Sequence, residues 1–150
     1  MLLRQCRNHL MPLLQRAGVR DLIVCDSRGI LSPSRPDLAG TPVLLVNPRT
    51  AVPTGPVFAG WDGVDRGGLD PAAPLAALRN DLAAPAIALA SVIATVIDAL
   101  GRQPGATLVR MSGSGATVFA LFESAAARDS AAHALSVQCP AWWCAATRLR

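Results

Sequence analysis

The chain has 150 residues, 51% hydrophobic and 16% charged, with a formal net charge of +4. That length fits one domain or two small ones, and that composition can bury a core, which excludes an intrinsically disordered chain. Every basic side chain is arginine or histidine, and the absence of lysine excludes both a Schiff-base amine and a P-loop lysine.

Residues 1–40 hold six arginines against three aspartates, so most of the positive excess lies there. A solvated basic face accounts for it. Nucleic-acid binding calls for clustered charge with aromatic or motif support, and neither occurs. Residues 2–17 predict a basic, amphipathic helix broken or bent at Pro12, which lacks an amide donor. The stretch has neither the continuous apolar run nor the small-residue cleavage site of a secretory signal. A short strand follows at 22–25, a turn at 26–29, and a Pro-, Ser- and Gly-rich stretch at 31–42 that reads as a linker. The chain thus divides into an atypical segment, residues 1–41, and a domain over 42–150.

The apolar run at 42–47 predicts a strand ending at Asn47-Pro48. Thr54 is a candidate N-cap for a short helix with Pro56 in its first turn. A glycine-rich loop covers 63–70 and a short helix 71–79. Leu89, Val92, Ile93, Val96, Ile97 and Leu100 recur at three- and four-residue spacing and predict one long helix over 82–100, capped by Asn80 or Asp81. Its charge-free run ends at Asp98 after 16 residues, short of the roughly 20 that a bilayer core needs, so a buried helix fits and a membrane span does not. Strands at 107–111 and 116–122 flank a loop at 112–115. A helix over 124–136 begins after Ser124, and a last strand covers 142–149. From Pro42 onward this order predicts an α/β (α+β) fold, a ferredoxin-like split βαβ sandwich with helices on one face of a mostly antiparallel sheet.

Cys6, Cys25, Cys139 and Cys144 form no C-x-x-C pair and lie away from His9 and His133 in sequence, so no metal site is expected. They read as buried or free thiols of a reducing, cytoplasmic compartment.

The stretch RMSGSGATVFALF, residues 110–122, carries the chemistry-bearing signal. Two glycines separated by serine permit positive φ and close approach to the backbone. The loop is either a tight strand connection or an anion nest of amides helped by the hydroxyls of Ser112, Ser114 and Thr117. It is no Walker loop, since no G-x-x-x-x-G-K-[ST] occurs.

This stretch resembles the third conserved motif of the GHMP kinases. VLLVNPRTAVPTGPVFAGWD, RNDLAAPAI and the terminal WWCAATRL extend the likeness over roughly residues 42–150 and point to the isoprenoid-pathway branch of that family. The resemblance implies the ferredoxin-like C-terminal domain of those kinases. It also implies transfer of the ATP γ-phosphoryl, with Mg²⁺, to a hydroxyl on the methylerythritol part of a small-molecule substrate. By the same likeness Gly113, Ser114 and Gly115 line the cleft beside the phosphates, together with the Ser112 and Thr117 hydroxyls. Thr54 corresponds to the Ser/Thr before the short helix near the cleft, and Asn80 and Asp81 to an "ND" pair that serves the cleft or caps the long helix.

What the family's N-terminal half supplies, a glycine-rich nucleotide loop, a catalytic Asp, a Lys and a cytidine pocket, has no counterpart here. Asp21 and Asp26 match none of it, so no catalytic residue is assigned. The expectation is a C-terminal portion of such a kinase, inactive by itself and without tight binding of ATP or Mg²⁺. Its expected partner is the missing N-terminal half, or a second copy over the surface that half would cover. Residues 17–38 are also similar to a strand-and-turn segment of malic enzymes, with Asp26 as the acid near an NAD ribose, but no phosphate loop accompanies it. The alternative is a non-catalytic small-ligand or structural module on the same fold.

Overall fold

A computed structural model describes residues 36–64, 66, 74–77 and 79–149. The helix expected at 2–17, the strand at 22–25, and Asp21, Asp26, Cys6 and Cys25 lie outside the described residues.

Strand β1 (Pro42–Asn47) is followed by helices α1 (Thr54–Ala59), α2 (Ala83–Leu89) and α3 (Val92–Gly101). Then come strands β2 (Ala106–Met111) and β3 (Val118–Phe122), helix α4 (Ala125–Gln138) and strand β4 (Trp143–Arg148). The strands form one antiparallel sheet in the order β2-β3-β1-β4. The run of helices from β1 to β2 crosses β3, and α4 crosses β1 on its way to β4. These two interleaved crossovers define the split βαβ architecture, as the element order predicts.

Strand alternation divides the apolar residues between the two faces. Leu44 and Val46 of β1, with Val118, Ala120 and Phe122 of β3, turn toward the helices and are buried to 2% exposure or less. Ile93, Val96 and Leu100 of α3 and Ala131 and Leu135 of α4 pack against them at helical spacing. Each such large side chain contributes about 1.5–3 kcal/mol on burial. A smaller cluster of Val43, Leu108, Leu121 and Leu149 occupies the other face.

The predicted single helix over 82–100 is two helices. Ala90 adopts φ −145°, ψ 86° and ends α2, and α3 restarts at Val92. The apolar stripe would have run on unbroken, but packing needs two directions. The start of α2 lies against α1, where Gly60 leaves room for Pro85, while α3 lies on β2 and β3. Leu89 sits at the break and is 52% exposed, so its place in the stripe does not bury it. The short helix expected at 71–79 is, among the described residues, a 3-10 turn at Leu75–Ala77. None of the described helices is long and apolar enough to cross a membrane.

Helix α4 begins as its sequence predicts. Ser124 is extended and its side chain accepts the Ala127 N–H at 3.1 Å, so Ser124→Ala should cost about 1 kcal/mol in chemical denaturation. Cys139, at the end of α4, and Cys144, within β4, are free thiols. Burial, with the neighbouring Cys139 adding to it, pushes the Cys144 thiol above its ordinary value.

Candidate functional site

The β2–β3 connection, residues 112–117, closes on itself through two backbone bonds. Ser112 N–H donates to Thr117 O at 2.8 Å and Gly115 N–H to Ser112 O at 3.0 Å. The Gly115–Ala116 peptide is cis. Both loop glycines have positive φ, 55° at Gly113 and 91° at Gly115, but they answer different needs. A Cβ on Gly115 would come within 3.1 Å of Met111 Sδ and 3.2 Å of Ile93 Cδ1, so this glycine faces the core. A Cβ on Gly113 would meet nothing within 4 Å, so that glycine faces open space. The Gly113 and Ser114 amides take no backbone acceptor among the described residues. Two adjacent free N–H groups in a glycyl turn are the elements of an anion nest.

Three side chains from other elements hold the loop. Asn80, just ahead of α2, donates its Nδ2 hydrogens to Met111 O and Gly113 O, both at 2.8 Å. Its Oδ1 accepts the Leu82 N–H at 3.0 Å. Thr54, the first residue of α1, brings its hydroxyl to 3.2 Å from that of Ser114. Asn47, at the end of β1, donates to Thr117 Oγ1 at 2.8 Å and accepts the Arg49 N–H at 2.7 Å, with Arg49 at φ 59°.

Several sequence expectations change here. Thr54 does not cap α1: Pro53 occupies the N-cap position and the Thr54 hydroxyl is turned to the loop instead. Leu82 is the N-cap residue of α2, and Asn80 joins its start to the loop. Asp81 neither caps the helix nor meets the loop, and pairs with Arg79 at 3.2 Å. Asn47 was legible only as a turn signal before Pro48; its bond spans 70 residues of sequence and leaves no local pattern.

The donors at this end of the sheet are hydroxyls and amides, which suit phosphate oxygens. Among the described residues no three His, Cys, Asp or Glu converge. The described carboxylate just past α1, Asp62, is committed elsewhere. Its hydrogen bonds from Arg66 and from Val64 N–H hold it at about 2 against the ordinary 3.8. A lowered folded-state value means that this local pairing is fully present above pH 3.8 and is lost as the pH falls through about 2. Carboxyl NMR should give that midpoint, moving up in high salt because the pair is exposed. Two surface grooves lie away from the loop. One, of about 330 Å³, is lined by Arg128, Arg148 and the start of β1, and the other runs along β2 and α3.

Comparison with known proteins gives the same parentage for sequence and fold. Residues 63–141 match the family model for the C-terminal domain of GHMP kinases. The 4-diphosphocytidyl-2-C-methyl-D-erythritol kinase of Rhizorhabdus wittichii is 61% identical over 116 residues, covering 75% of this chain and 40% of the relative. The enzyme of the same name from Novosphingobium aromaticivorans is 52% identical over 132 residues, covering 84% and 45%. A crystal structure of 4-(cytidine 5'-diphospho)-2C-methyl-D-erythritol kinase superimposes with a TM-score of 0.61 at 26% identity, over 80% of this chain and 47% of that one. The chain therefore spans less than half the length of these relatives.

Proposed function

The chain belongs to the GHMP kinase family, and from that membership we propose that it is the C-terminal, phosphate-facing portion of a 4-diphosphocytidyl-2-C-methyl-D-erythritol kinase. In this reading the complete site phosphorylates a substrate hydroxyl with ATP in cytoplasmic isoprenoid precursor synthesis. Residues 42–150 form most of the kinase C-terminal domain, and the matches that cover 80–84% of the chain take in some residues before Pro42 as well.

The observation that carries the reading is the clamped loop. Gly113 and Ser114 present free amides, and Asn47, Thr54 and Asn80 fix the loop from three separate elements. Phosphoryl transfer depends on positioned donors around the phosphates, and donors held before the ligand arrives cost no reorganisation. When bound, ATP with Mg²⁺ supplies the phosphoryl group and neutralises its charge. This chain's contribution is to hold phosphate oxygens at the Gly113 and Ser114 amides, with the Ser112, Ser114 and Thr117 hydroxyls beside them. By the family resemblance, the nucleotide loop, catalytic Asp, Lys and cytidine pocket would come from an N-terminal half that these 150 residues do not include. The chain alone is therefore inactive.

A chimera tests this. The N-terminal half of the Rhizorhabdus wittichii relative is joined to residues 42–150 of this chain, and ATP consumption is followed with the diphosphocytidyl substrate. Turnover is expected from the chimera and none from the 150-residue chain. A folded chimera without turnover sinks the kinase reading. Turnover by the chain alone that disappears in Gly115→Val sinks the claim of inactivity.

A further inference from the structure

The sheet order puts β2 and β4 at its two edges, and the edges are built differently. Strand β2 shifts register between Ala106 and Leu108, and Arg110 ties it to the 3-10 turn by donating to Ala76 O at 3.2 Å. An irregular register and a covering contact both keep an edge from pairing with another chain. Strand β4 has neither. It pairs with β1 over six residues without a register shift, and its one charge is on Arg148, its last residue. Leu149 N–H donates to Thr41 O at 3.0 Å, which sets the phase of that ladder. Trp143, Ala145 and Thr147 therefore turn their amides and carbonyls to β1, while Cys144, Ala146 and Arg148 turn theirs outward. Among the described residues nothing bonds to those outward groups.

We propose that β4 pairs antiparallel with β4 of a second copy about a two-fold axis at Ala145, joining two four-stranded sheets into one. Outward groups must meet outward groups. Ala146 therefore faces the second copy's Cys144 on each side of the axis, with about four N–H···O bonds between the copies. Ala145 faces its own counterpart in a non-hydrogen-bonded pair, where Cα atoms approach to about 4.5 Å and a methyl group fits. The same register sets Arg148 across from the second copy's Trp142, and Thr147 across from its Trp143. The charge of the strand thus meets an indole and not the other Arg148, and the exposed Trp143 gains a β-branched neighbour. An axis at Ala146 would also match the outward groups, but it sets Arg148 against Cys144 and forgoes the indole. Complementarity of the strand to itself, in charge and in size at the axis, selects a second copy as the occupant. The inference does not depend on the kinase reading.

Light scattering on the full chain should give a mass that rises with concentration toward twice the monomer's. Ala146→Pro removes an outward N–H that β1 does not use, so the variant should stay folded by circular dichroism and stay monomeric. A cross-link tests the register. With Cys6, Cys25, Cys139 and Cys144 replaced by alanine, Ala145→Cys is treated with glutathione disulfide. The thiols of two copies should join in a disulfide as two glutathione thiols are released, because the separation at the axis is one that a disulfide spans. Thr107→Cys in the same background, on the β2 edge, should give no such link. If Ala146→Pro does not fold, the cross-link decides alone. A monomer at every concentration, a dimer undiminished in folded Ala146→Pro, or no link at Ala145→Cys would each overturn the proposal.

Discussion

Gly115→Val is expected to destabilise the full chain by about 3 kcal/mol in urea denaturation, the largest effect of any loop substitution. Two costs add. At φ 91° a β-branched residue is held in the left-handed region that its Cβ disfavours. That Cβ also lands 3.1 Å from Met111 Sδ and 3.2 Å from Ile93 Cδ1, and Ile93 is fully buried and has little room to retreat. Gly113→Ala is the internal control. It carries positive φ but meets nothing within 4 Å, so it should cost only about 1 kcal/mol. Equal losses at the two positions would show that packing on Ile93 plays no part.

Asn80→Ala should cost about 2 kcal/mol, because it strips two carbonyls of their donor and the Leu82 amide of its acceptor at once. Asn80→Asp separates the two duties. It keeps an oxygen for the Leu82 N–H but presents a carboxylate to the carbonyls of Met111 and Gly113, so it should be at least as damaging as alanine at neutral pH. If Asn80→Asp behaves as the unsubstituted protein, Asn80 is a cap and not a clamp. Amide shifts of Gly113 and Ser114 should move in both variants and stay put in Asp81→Ala, whose part-exposed pair with Arg79 is worth well under about 1 kcal/mol.

The consequence for the reaction follows from distance in the chain. Asn80 lies 31 and 33 residues from its two carbonyl partners, so the order of the loop depends on the start of α2. On the proposed kinase reading, a chimera carrying Asn80→Ala should lose turnover more than it loses stability, since a loosened loop would leave the phosphate oxygens without fixed donors.

Much of the fold is a property of short stretches, and those were legible. PVLLVN reads as a strand because its apolar residues run on between turn-prone neighbours, and Ser124 starts a helix because its hydroxyl can reach an amide three residues on. The order of strands and helices from Pro42 onward fixes the split βαβ class, and linear motifs in that order fix the family. The loop's need for glycine is equally local, since positive φ is a demand made by the backbone itself.

Only the tertiary structure decides what each residue in those stretches does. Two glycines two residues apart look alike in sequence, yet Gly115 is bound to the core by Ile93 and Gly113 faces open space. Thr54 has the identity of a cap and serves as a loop contact across 60 residues, while Asn47 holds Thr117 across 70. One apolar stripe over 82–100 becomes two helices, because α1 and the sheet must be covered from different directions. Periodicity encodes which face of an element is apolar. Which partner meets that face, and which distant carbonyl a side chain finds, is set by packing, and packing between remote residues has no period to read.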